Sequence, residues 1–368
     1  MSGIKVPYVN FPLQHKALKT KLLAAVERVL DHGQFILGPE VEEFERKFSE
    51  YCSSKYAVGV DNGTNALSMA LSALGIGPDD EVITPPNSFL ASTSSIVALG
   101  AKPVFVDVRD DFNIDPELIE DAITDRTKAI MPVHLTGKPA EMDTILTVAR
   151  DHGLMVVEDC AQAVGSRYRD RHVGTFGDAG CFSLHPLKTL GAIGDGGVVV
   201  TNDYDLAERL RRMRNHGLKN RDECEFWGRN ARLDALQAAI LIVKLKYVEG
   251  WIARRREIAQ RYSRALEDAV NIPTCRNHEF STYHTYIVQT EDRDRLKGYL
   301  QERGIETKVH YPIPLHRQQA ARGSGLDDGR FPVCEEQVER ILSLPIYPEL
   351  EDWQVETVIE SILEFHGN

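Results

Sequence analysis

Lys188 stands in GCFSLHPLKTLGAIGDGGVVVT (180–201), between an apolar run and a glycine-rich bend. Ser183, His185 and Pro186 precede it; Gly191, Gly194, Gly196 and Gly197 follow. A lysine amine attacks carbonyl carbon to form an imine once it has shed its proton, and desolvation favours that neutral form. A solvated surface lysine is the plainer reading, yet it needs no such shaped backbone. Three other segments bear on the choice. In VDNGTNALSMAL (60–71) a strand-like run ends in Asn-Gly-Thr and passes directly into a helix pattern. Free N–H groups at a helix start make an anion site; Gly63 allows close approach and Thr64 adds a hydroxyl. Simple helix capping explains the same residues. In LMVVEDCAQAVGS (154–166) an acidic pair ends an apolar strand, with Gln162 just beyond. A carboxylate there needs a cationic or protonated partner, unless Asp159 is only a cap. In FWGRNARLDALQAAIL (226–241) a helix start accounts for Asp234 but leaves Asn230 and Arg232 unexplained.

Together these are the demands of pyridoxal 5'-phosphate. Its phosphate suits a helix N-terminus with hydroxyls, its ring nitrogen suits an aspartate, and its aldehyde suits a lysine. No metal set competes, because the six cysteines are scattered without a C-x-x-C pair.

The elements that must position these groups are legible as periodicity. Short apolar runs at 55–60, 81–85, 102–108, 128–135, 154–160, 179–184 and 197–202 read as strands. Helix patterns at 65–74, 90–99 and 142–153 fall between several of them. Nearly continuous apolar strands alternating with helices predict an α/β fold, a mostly parallel central sheet sandwiched by helices. Ligands in such folds bind beyond the carboxyl ends of the strands. From about 231 to 269 one long helical stretch follows. A strand at 283–290, a helix at 292–304 and a closing helix from 352 come after it. The division expected is a large domain at 1–249 and a smaller C-terminal α+β domain at 250–368.

Composition narrows the function. Of the 368 residues 42% are hydrophobic and 27% charged, as in ordinary soluble proteins. A net charge of −12 argues against a nucleic-acid partner held through phosphates. Neither a secretory leader nor an apolar membrane span is read, so the expected setting is cytoplasmic and away from membranes.

The fragments FSLHPLKTLGAIGDGG, EDCAQA, DNGTNAL, GRNARLDALQAAIL and KVHYPIPLHRQ occur in an order that resembles the DegT/DnrJ/EryC1/StrS family of sugar aminotransferases, within fold-type I pyridoxal-phosphate enzymes. The resemblance implies that Lys188 links to the cofactor and shuttles the proton, that Asp159 bonds the ring nitrogen, and that Gln162 meets its phenolic oxygen. It implies Phe89 on the ring face and Gly63, Thr64 and Ser183 at the phosphate. Asn230 would reach that phosphate from the neighbouring subunit of a homodimer with shared sites. His185, His310 and Tyr311 are the candidates for substrate contact, His185 being equally a packing residue. The implied substrates are a nucleotide-linked keto-sugar and glutamate or glutamine as amino donor. A dTDP-linked 3-keto-6-deoxyhexose is favoured over a 4-keto sugar. A sugar dehydratase and a non-catalytic regulator on the same fold are the other classes; Lys188 counts against the first, and the presence of both Lys188 and Asp159 against the second.

Overall fold

The computed structural model describes residues 3–326 and 329–367. Its centre is a seven-stranded sheet. In chain order the large unit contributes β1 (Tyr56–Val60), β2 (Glu81–Thr84), β3 (Lys102–Phe105), β4 (Thr127–Ile130) and β5 (Met155–Asp159). A short hairpin, β6 (Arg167–Tyr168) and β7 (Arg171–His172), precedes β8 (Ala179–Ser183) and β9 (Gly197–Thr201). The central order is β1-β9-β8-β5-β4-β2-β3. Every strand in it comes from one of the runs expected from sequence, generally shortened at its ends.

Both faces of the sheet are covered, and one strand shows how. Val198 and Val200 of β9 enter the core beneath the Ala235–Leu245 helix, whereas Val199 enters the opposite core against the Gly63–Ala73 helix. Alternate side chains of a strand point to opposite faces, so a wholly apolar strand needs apolar partners on both. The pairings from β3 through β8 are parallel, while β9 runs antiparallel to both β8 and β1. Consequently β1, β5 and β8 point the same way. Asn62, Asp159 and Ser183 therefore gather at one edge of the sheet.

The long helical stretch is two helices, Ala235–Leu245 and Val248–Leu266, with Lys246 and Tyr247 between them. Val248 and Ile252 pack into the large unit's core. Ile258, Tyr262 and Leu266 of the same helix pack into a second core with β11 (Tyr286–Gln289), β12 (Ile341–Leu344) and the closing helix Asp352–Gly367. β11 and β12 pair antiparallel, and β10 (Glu279–Phe280) adds to the β6–β7 hairpin. The N-terminal segment crosses over: Val6 lies in the second core and bridges to Ile305. Among the described residues no helix is long and apolar enough to cross a membrane.

Candidate active site

A cavity of about 420 Å³ opens at the carboxyl ends of β1, β5 and β8. Gly63, Thr64, Phe89, Asp159, Gln162, Ser183, His185, Lys188, His310 and Tyr311 all line it. Asn230 does not. It is exposed on the strand-like return of a hairpin, where it bridges to Asn215.

At one end of the cavity β1 turns into the Gly63–Ala73 helix. Asn62 is the cap, its side chain accepting the Asn65 N–H at 2.8 Å. The other N–H groups of the first turn remain for an anion, and the helix dipole adds positive potential there. Gly63 is required by contact: a Cβ on it would lie 2.7 Å from the Ser183 Cβ. The helix start and the end of β8 thus close on each other, with the Thr64 and Ser183 hydroxyls at the seam.

Asp159 ends β5 and is buried. Its Oδ2 accepts the Ser92 hydroxyl at 2.8 Å, and its Oδ1 accepts the Ala161 N–H at 3.1 Å. Burial raises its pKa; the two hydrogen bonds and then the nearby Lys188 oppose that rise. Its neighbour Glu158 points the other way, as strand alternation demands. There it accepts the N–H groups of Gly174, Phe176 and Gly177 and faces His134 Nε2 at 3.0 Å. His134 Nδ1 accepts the Ala140 N–H, so the ring proton sits on Nε2 and is donated to Glu158.

Gln162 is held from both sides. Thr136, in the left-handed region at φ 64°, donates its N–H to Gln162 Oε1 at 2.7 Å. Gln162 Nε2 donates to the Tyr311 hydroxyl at 3.1 Å, leaving one amide hydrogen for a ligand. Tyr311 in turn meets Phe89, with ring centroids 5.6 Å apart. Phe89 is half exposed and presents its ring at the cavity mouth.

Lys188 follows the bend after β8, its N–H bonded to the His185 carbonyl at 2.8 Å. Loss of hydration lowers its pKa from 10.5 to about 8, with the Asp159 carboxylate resisting. An amine so placed is far closer to its nucleophilic form at neutral pH than a surface lysine.

Residues 16–363 match the DegT/DnrJ/EryC1/StrS aminotransferase family. The chain belongs to that family. It is similar to dTDP-3-amino-3,4,6-trideoxy-alpha-D-glucose transaminase of Streptomyces venezuelae, with 43% identity over 98% of this chain and 96% of that protein. It is likewise similar to dTDP-3-amino-3,6-dideoxy-alpha-D-galactopyranose transaminase of Aneurinibacillus thermoaerophilus, with 44% identity over 97% and 98%. The crystal structure of S. venezuelae DesV in complex with a ketimine intermediate superimposes with a TM-score of 0.96 at 43% identity, covering 99% of both chains.

The protein is thus a sugar aminotransferase of the pyridoxal-phosphate-dependent class. The cavity fits that cofactor by its donor chemistry: a glycine-permitted cradle for phosphate, a buried carboxylate for a ring nitrogen, and a desolvated amine for an aldehyde.

Several participants were not singled out by sequence. Ser92 is one of a run of small hydroxyl residues and carries no signal of its own. Thr136 acts through backbone alone. His284 and Thr285 line the cavity but sit inside what reads as strand at 283–290; the actual strand starts at Tyr286.

Proposed function

We propose that this enzyme aminates a nucleotide-linked keto-sugar, a dTDP-linked 3-keto-6-deoxyhexose, taking the amino group from glutamate or glutamine. The observation that carries the reading is the Lys188 amine and the Asp159 carboxylate opening into one cavity. The 3-amino products named for the dTDP-sugar relatives support the choice of the C3 ketone over C4.

When bound, pyridoxal phosphate supplies an electron sink and a carrier for the amino group. Lys188 would hold the cofactor through its amine and would carry the proton to and from the substrate carbon. Asp159 accepts the ring N–H and keeps that nitrogen protonated. Gln162 offers its remaining amide hydrogen to the ring's phenolic oxygen. Phe89 would cover the ring face, while Gly63, Thr64 and Ser183 would hold the phosphate. His185, His310 and Tyr311 border the space left for substrate. Asn230 serves the phosphate of a second copy, which makes a homodimer with shared sites the working assembly. Division near residue 250 leaves the cofactor residues on the large domain and brings His310 and Tyr311 from the small one.

Purified enzyme is screened with glutamate or glutamine against 3-keto and 4-keto nucleotide sugars, each as its dTDP and UDP form. Amination of a dTDP-linked 3-keto-6-deoxy sugar, abolished by Lys188→Ala with the fold intact, is expected. Turnover confined to 4-keto sugars would reject the C3 assignment, and near-normal turnover by Lys188→Ala would reject the role of Lys188.

A further inference from the structure

His284 and Thr285 line the same cavity as Lys188, and each brings a buried polar atom with no partner in the protein. These atoms are His284 Nδ1 and the Thr285 hydroxyl oxygen. Thr285 is only 6% exposed. A buried hydroxyl or ring nitrogen without a hydrogen bond is costly, and native interiors tolerate it where a ligand or an ordered water supplies the partner. The other candidates for substrate contact each have one polar atom engaged within the protein. His310 Nδ1 meets the Ser343 hydroxyl at 2.9 Å, the Tyr311 hydroxyl accepts from Gln162, and His185 Nδ1 accepts the Leu187 N–H at 3.3 Å.

The backbone around the pair is fixed from both sides of the cleft. Thr285 N–H donates to the Thr136 carbonyl, in the loop that also holds Gln162. The buried Arg255 guanidinium donates to the carbonyls of Tyr283, His284 and Ile346. Burial, and then the neighbouring cations Lys188 and Arg255, push the His284 pKa well below its usual value. Its ring is neutral, with one nitrogen that donates and one that accepts.

We propose that His284 and Thr285 form a subsite that reads a hydroxyl of the sugar next to its keto carbon. The inference rests on the nucleotide keto-sugar reading above and names the residues that set specificity within it. A neutral imidazole beside an aliphatic hydroxyl suits another neutral hydroxyl, which both donates and accepts. Such a site rejects an analogue lacking that hydroxyl, because its own buried groups would again be unpaired.

The test uses holoenzyme carrying Thr285→Val, which keeps shape and removes the hydroxyl, with His284→Phe as a second variant. Single-turnover absorbance follows the donor and sugar half-reactions separately. Calorimetry measures nucleotide-sugar binding, and thermal unfolding is recorded for each variant. The sugar half-reaction and sugar affinity of Thr285→Val are expected to fall at least tenfold more than the donor half-reaction. Its unfolding temperature should stay at or above wild type, and its preference for the substrate over the matching deoxy analogue should collapse. Equal loss in both half-reactions, a lowered unfolding temperature, or retained discrimination in both variants overturns the subsite. Wild-type enzyme that accepts no sugar of the panel overturns the nucleotide-sugar reading instead, and the subsite with it.

Discussion

The Ser92 hydroxyl donates to Asp159 Oδ2 at 2.8 Å, and both side chains are buried. A carboxylate raised in pKa by burial is kept ionised by such bonds, and this one lowers the pKa back toward the ordinary range. Ser92→Ala should therefore raise it further. In apoprotein, the protonated carboxyl band in the infrared should emerge at higher pH than in wild type. In the holoenzyme the acid limb of the kcat/KM profile should move the same way. The lost bond costs about 1–3 kcal/mol of stability at neutral pH, diminishing as the acid protonates. An unmoved carboxyl band would leave Ser92 as packing alone.

Lys188 makes the apoprotein's stability depend on pH in a defined direction. Its folded pKa of about 8 lies below the ordinary 10.5, so the unfolded chain binds more protons between those values. Below pH 8 the penalty of burying the ammonium is fully present, and it is relieved as pH rises through the window to 10.5. Apo Lys188→Met should be more stable than apo wild type at pH 7, on the order of 1 kcal/mol. The gap should close toward pH 10. Denaturant titrations at both pH values decide; a constant gap rejects a desolvated amine.

Gly63→Ala would thrust a methyl to 2.7 Å from the Ser183 Cβ. Overpacking between a helix start and a strand end costs about 1–3 kcal/mol and should loosen the phosphate end. Adding Ser183→Gly removes the obstructing Cβ. The double variant should recover unfolding temperature but not cofactor affinity, because a hydroxyl is missing. Recovery of neither would mean the strain lies elsewhere.

Glu158→Gln places an amide among the N–H groups of Gly174, Phe176 and Gly177 and the ring N–H of His134. Donor facing donor should destabilise the fold by about 3 kcal/mol. Cofactor absorbance of the folded fraction should stay that of wild type. A shifted cofactor spectrum would place Glu158 in the cofactor's environment instead.

Asn230 is exposed and outside its own chain's cavity. If it serves a second copy, inactive Lys188→Ala and Asn230→Ala proteins should complement on subunit exchange. One site of each mixed dimer is then wholly native, giving up to about a quarter of wild-type activity at equal mixing. No recovery despite exchange shown by mass spectrometry, or an active monomer by light scattering, sinks the shared site.

The acidic pair in EDCAQA shows what sequence could and could not settle. Periodicity placed both carboxylates at a strand end, and alternation required that they face opposite ways. Which one met the cavity depended on the register of β5 against β8, where Asp159 stands beside Cys181. The family motif supplied that choice. Strand existence was legible because buried β-branched runs are distinctive; strand ends were less so, as the break between the helices at Lys246 also illustrates. His284 and Thr285 escaped notice because their importance lies in partners they lack, a property of three-dimensional packing rather than of residue type.

Arg255 belongs to the Val248–Leu266 helix, yet its guanidinium grips the carbonyl of His284, whose ring faces the cavity. Anything that slides or rolls this helix by a fraction of an ångström swings that carbonyl and reorients the imidazole. Selectivity could then drift through replacements on the outer face of a helix that never meets substrate. Laboratory evolution toward a new sugar epimer should accumulate such remote changes, leaving the cavity wall itself untouched.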